Sequence, residues 1–78
     1  MNNIKIIGYK CSNGIKLKKN ISKLSHECDI DLELLEGDEY LNKYNIKNVP
    51  GLIINEKVVS EGKVLNDREI LRMIKVLS

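Results

Sequence analysis

One stretch limits the folds open to this chain more than any other. A β-branched run, a helical apolar stripe and a second extended run follow one another within residues 4–36. Ile4-Lys5-Ile6-Ile7 is short, β-branched and stopped by Gly8, and it reads as a strand. Its apolar density predicts burial on both faces, as in a central strand. From about Ser12 to Cys28 the period changes. Leu17, Ile21, Leu24 and Cys28 recur at spacings of four, three and four, which is one stripe of a helix. Lys16, Lys18, Lys19 and Lys23 lie around its other faces. Asp31-Leu32-Glu33-Leu34-Leu35-Glu36 partly alternates and reads as a second strand. Strand, helix and strand in this order require a crossover to a parallel neighbour, and such crossovers are right-handed.

The rest of the chain completes the sheet. Met1 to Asn3 reads as a frayed lead-in. Gly37-Asp38 is a stop, with Asp38 expected to cap a short helix through about Tyr44. Val49 precedes Pro50 and so disfavours helical backbone, which ends that helix. Leu52-Ile53-Ile54 is a third strand, Asn55-Glu56-Lys57 a turn, and Val58-Val59-Ser60 a fourth strand closed by Glu61-Gly62. Asn66 and Glu69 have capping-box spacing before a helix whose apolar face is Ile70, Leu71, Ile74 and Leu77. The short turn demands an antiparallel hairpin. The expected architecture is α/β, in the order β-α-β-α-β-β-α, with a mixed four-stranded sheet flanked by helices. Residues 1–78 form one domain, since no linker-like segment divides them.

Composition narrows the function. A hydrophobic fraction of 42% and a charged fraction of 31% are globular values. The core must be aliphatic, because the chain has eleven Ile, ten Leu and five Val but no Phe or Trp. A net charge of +2 without a basic arm argues against nucleic acid as a partner. Apolar runs of at most three residues argue against a membrane span. The first residues lack an apolar stretch of signal-peptide length, so the expected location is the cytoplasm. Two cysteines cannot build a disulfide framework, and the lone histidine, His26, leaves no ligand cluster for a metal. His26 is expected to be solvated, and Asp29 and Asp31 to serve as turn and strand-start residues.

The element order, with Cys11 opening the first helix and Pro50 just before the third strand, resembles the minimal thioredoxin/glutaredoxin fold. The nearest likeness is to the small prokaryotic thioredoxin-like proteins often called redox-active disulfide proteins. Gly8-Tyr9-Lys10-Cys11-Ser12-Asn13-Gly14 occupies the place of that family's Gly-x-x-Cys-x-x-Cys loop. Leu17-Lys18-Lys19-Asn20 resembles the helix turn that follows. Val49-Pro50-Gly51-Leu52-Ile53-Ile54-Asn55, continued by Val58 to Val64, resembles its proline loop, hairpin and exit. The resemblance implies a cis Val49–Pro50 peptide facing the active-site sulfur. It also implies a substrate surface made of Tyr9, Lys10, Ser12, Asn13, Gly14, Val49 and Pro50. The departure is Gly14, which stands where the family has its second cysteine. Cys-Ser-Asn-Gly cannot close a disulfide within the loop.

Cys11 is the candidate nucleophile. A thiol at a helix N-terminus meets unpaired amides and the positive end of the helix dipole, which favour the reactive thiolate. Lys10 is expected to add a nearby positive charge. The competing reading is a relic thiol on a fold put to other use. Cys28 is expected to be core: ~1.5 Å per residue over seventeen helical residues sets the two sulfurs roughly 25 Å apart, against the ~7 Å between Cα atoms that a disulfide allows. Gly14 is either drift or an opening beside Cys11 for a bound thiol. Tyr9 is either a groove wall or cover for the sheet edge. The expected function is monothiol thiol–disulfide exchange with a protein or small-molecule disulfide or thiol, the mixed disulfide being resolved by an external thiol. The alternative is a non-catalytic binding module using the same groove. A glutaredoxin-like iron–sulfur carrier ranks last, because one exposed thiol falls short of the four ligands that cluster iron usually takes. No cofactor or metal is expected, and the chain is expected to be a monomer.

Overall fold

The computed structural model describes residues 2–77. The elements are β1 (Asn2–Ile7), α1 (Ser12–Leu24), β2 (Ile30–Leu35), α2 (Asp38–Lys43), β3 (Gly51–Ile54), β4 (Lys57–Glu61) and α3 (Asp67–Leu77). The strands form one sheet in the order β2-β1-β3-β4. β1 runs parallel to β2 and antiparallel to β3, and β3 pairs antiparallel with β4. β1 is therefore central and β4 lies at an edge. Having neighbours on both sides and helices over both faces is why β1 needs isoleucine on both faces.

Two apolar layers hold the sheet. Ile4, Ile6, Leu52 and Ile54 face one way and are fully buried against Leu17, Ile21 and Leu24 of α1 and Ile70 and Ile74 of α3. Ile7 and Ile53 face the other way and pack with Ile46, under Tyr40, Leu41 and Tyr44 around α2. The Asn20 amide also donates to the Leu65 carbonyl at 2.9 Å, joining α1 to the segment that leads into α3.

Several boundaries move from their sequence positions. β1 begins at Asn2, because the Asn2 N–H donates to the Asp29 carbonyl at 2.9 Å and the Asn3 N–H to Asn55 Oδ1 at 2.9 Å. Met1 lies outside the described residues. α1 ends at Leu24, one turn short of Cys28. The Cys28 N–H still reaches the Leu24 carbonyl at 2.9 Å, so the apolar spacing continues past the helix end. Cys28 is half-buried and does not complete the core, which among α1 residues takes Leu17, Ile21 and Leu24. Asp38 does not cap α2. Gly37 holds that position without a side-chain bond, and Asp38 is the first helical residue. The capping box of α3 is present, with the Glu69 N–H donating to Asn66 Oδ1 at 2.8 Å and the Asn66 N–H to Glu69 Oε1 at 3.1 Å.

The β3–β4 turn is made by Asn55 and Glu56, both in left-handed backbone (φ 48° and 70°), as a two-residue hairpin requires. Asn55 also bridges the chain's two ends. Its amide donates to Asn2 Oδ1 at 3.1 Å and reaches the Leu77 carbonyl at 3.5 Å.

Candidate active site

The loop between β1 and α1 is shaped by close backbone approach. Its first residue, Gly8, donates its N–H to the Leu35 carbonyl at 3.0 Å and then turns left-handed (φ 78°). A Cβ on Gly8 would lie 2.7 Å from Val49 Cβ, so glycine is what lets the loop before Pro50 lie against it. The Val49–Pro50 peptide is cis. Val49 is 44% exposed and Pro50 is buried.

Cys11 is the N-cap of α1, with extended backbone (φ −71°, ψ 162°). Its Sγ accepts the Gly14 N–H at 3.3 Å and faces the Gly8 carbonyl oxygen at 3.2 Å. The sulfur of half-buried Cys11 is thus held between one amide donor and one carbonyl oxygen.

Ser12 and Asn13 are exposed on the first turn of α1. Tyr9 is half-buried and packs against the layer under α1 and α3. Lys10, the neighbour of Cys11, is exposed and has an acidic partner. Its ammonium pairs with Glu36 at 3.2 Å, and Glu36 raises the Lys10 pKa. That ammonium also sits 5.9 Å from the Tyr9 ring centroid. The pair is solvent-exposed, and Glu36 directly follows β2.

Of the two readings of Gly14, the structure contradicts the opening. Gly14 does not open a space beside Cys11. It is buried under the loop, and a Cβ there would come within 2.6 Å of the Gly8 carbonyl oxygen and 2.7 Å of Tyr9 Cα. Both are backbone atoms, which cannot swing aside as a side chain does. The glycine lets the loop settle onto α1.

Cys28 stays remote, since the 13 residues of α1 separate it from Cys11 by about 20 Å of helix at ~1.5 Å per residue. Exposed His26 lines an open groove with Ile15, Lys18, Lys19, Ser22 and Lys23 on the outward side of α1, and that groove holds none of the Cys11 loop. Among the described residues there is no metal-ligating cluster, and no helix is long and apolar enough to cross a membrane.

Two features carry no local sequence signal. The first is the tie on residues 47–50. Glu61 Oε1 accepts the Lys47 N–H at 3.1 Å and the Asn48 N–H at 3.2 Å, and the Gly62 N–H donates to the Pro50 carbonyl at 2.9 Å. The second is a polar cluster on the α2 side of the sheet. Lys5 is buried on the central strand, pairs with Glu56 and lies 3.9 Å from Glu33. Asn3 donates to Glu33 at 2.6 Å and the Tyr44 hydroxyl to Glu56 at 3.1 Å. Both join residues far apart in the chain.

The family model of the thioredoxin domain matches residues 2–75. The chain belongs to the thioredoxin domain family. Among solved structures, it is similar to a thioredoxin-2 described as a component of malaria parasite protein secretion machinery. The TM-score is 0.73 and the identity 15%, over 97% of this chain and 82% of that one. At that identity the likeness establishes the thioredoxin fold alone. No curated protein matches the chain in sequence. Within the thioredoxin frame, Cys11 opens the first helix after the central strand, and the Pro50 loop enters the adjacent antiparallel strand.

Proposed function

We propose that this thioredoxin-domain protein is a redox protein that performs monothiol thiol–disulfide exchange through Cys11. The observation that carries the reading is the half-buried Sγ at the head of α1, bonded by the Gly14 N–H at 3.3 Å. In the exchange step the Cys11 thiolate attacks one sulfur of a partner disulfide. A Cys11–partner S–S bond forms, the partner's S–S bond breaks, and the other sulfur leaves as a thiolate that takes up a proton from solvent. No electrons are gained or lost overall. Three residues on, Gly14 offers no sulfur to resolve the adduct. An external thiolate therefore attacks the partner's sulfur and releases Cys11. A second external thiol then frees the partner, and the two external thiols supply the two electrons as they become a disulfide. A reducing cytoplasm supplies such thiols. The partner is a protein or small-molecule disulfide, and the working unit is the monomer.

The test uses the wild-type protein, Cys11→Ser and a small aromatic disulfide, read by intact mass and peptide mapping. The expected result is one adduct on Cys11, stable until a small thiol is added, with Cys28 unmodified. A wild type that forms no adduct overturns the exchange reading and leaves a binding module in its place.

A further inference from the structure

Residues 45–49 connect α2 to β3 without regular structure. They leave α2 through Asn45 in left-handed backbone (φ 55°), and their one buried side chain is Ile46. Beyond Ile46 the chain is exposed up to Pro50, yet Val49 must lie against Gly8, the residue whose carbonyl faces Cys11 Sγ. Two consecutive amides, Lys47 and Asn48, converge on a single oxygen of Glu61 at the end of β4. β4 is itself fixed to β3 by the sheet, and the next amide, Gly62 N–H, holds the Pro50 carbonyl at 2.9 Å.

We propose that Glu61 is a positioning residue, whose carboxylate holds Lys47 and Asn48 so that Val49 and Pro50 stay fixed beside the Cys11 loop for a bulky disulfide partner. Glu61 touches neither the sulfur nor the partner, and its effect passes through the loop. This role rests on the exchange reading of Cys11. A small alkylating reagent needs only the sulfur, whereas a peptide disulfide must also be seated. The two reagents separate positioning from reactivity.

The experiment compares wild type, Glu61→Ala and Glu61→Gln. Amide exchange of Lys47 and Asn48 reads the loop directly. Rates of Cys11 labelling are measured with iodoacetamide and with a short peptide whose cysteine is capped as a mixed disulfide. In Glu61→Ala both amides are expected to exchange at least about tenfold faster. Peptide labelling is expected to fall about tenfold, since small displacements of a positioning group cost rates of that order. The iodoacetamide rate is expected to stay within about twofold, because the sulfur's own contacts are untouched. Glu61→Gln keeps an accepting oxygen and is expected to restore both amide protection and peptide labelling. Unchanged exchange in Glu61→Ala overturns the proposal. So does a parallel fall in both labelling rates, which marks a general loss of structure. A wild type that alkylates but refuses every disulfide overturns the exchange reading itself, whereas a reactive wild type matched by Glu61→Ala overturns only the role of Glu61.

Discussion

Cys11 serves the fold and the proposed chemistry with one atom. Its sulfur stands where serine, threonine or asparagine usually caps a helix, and it accepts the Gly14 N–H as their oxygens would. That duality separates two substitutions. Cys11→Ser keeps an accepting atom and is expected to hold stability within about 0.5 kcal/mol of wild type. Cys11→Ala loses the cap and is expected to cost about 1 kcal/mol in urea denaturation, the usual worth of an N-cap. Both should abolish the mixed disulfide. The position of Cys11 was legible because Gly8 and the apolar stripe bracket the helix start. The Lys10–Glu36 pair was not, because Glu36 lies beyond a crossover, and spacing along the chain carries no record of such a pair.

Elements differ in how plainly they are written. Strands β1, β3 and β4 and helix α3 were legible because each is bounded on at least one side by residues with a stereochemical reason to be there: Gly8, the Asn55–Glu56 turn and the Asn66–Glu69 box. The end of α1 was not. Ser25 turns the chain with its N–H and hydroxyl both on the Ser22 carbonyl, at 3.2 and 2.7 Å, while the next turn still bonds back to Leu24. Helical spacing thus outlives the helix by one turn. The sequence leaves Gly14 open between drift and an opening beside Cys11, since a glycine in a sequence cannot show what presses on it. Within α1 an alanine should gain about 1 kcal/mol of helix propensity over glycine. At Gly14 the new Cβ meets the Gly8 and Tyr9 backbone, and overpacking of that kind typically costs ~1–3 kcal/mol. Gly14→Ala is therefore expected to lower stability by up to about 2 kcal/mol in a urea titration, the overpacking cost less the propensity gain. A stabilised variant would show that the loop lifts off the helix freely.

Across the whole molecule, the cluster around Lys5 ties stability to pH. Glu56 raises the Lys5 pKa above its ordinary 10.5, and Lys5 lowers the Glu56 pKa below its ordinary 4.5. A raised lysine contributes stability that is fully present below 10.5 and is lost as pH climbs through the folded value. A lowered carboxylate contributes above 4.5 and is lost as pH drops through its folded value. Unfolding free energy is therefore expected to lose these contributions on both sides of a window from about 4.5 to about 10.5. In Lys5→Met both edges attributable to this pair should flatten. Within the window the variant should lose little stability, since Glu33 and Glu56 are 44% and 62% exposed and water can take them back. The bridge made by Asn55 has a more practical consequence. Asn2 and Leu77 meet at the hairpin end of the sheet, whereas Cys11 follows the opposite end of β1. The protein therefore has a handle side and a working side. A surface tether attached through a cysteine introduced at Asn2 in a Cys28→Ser background should leave iodoacetamide labelling of Cys11 at the wild-type rate. Immobilised on that side, the domain would present its sulfur outward, as a bait for trapping partners requires.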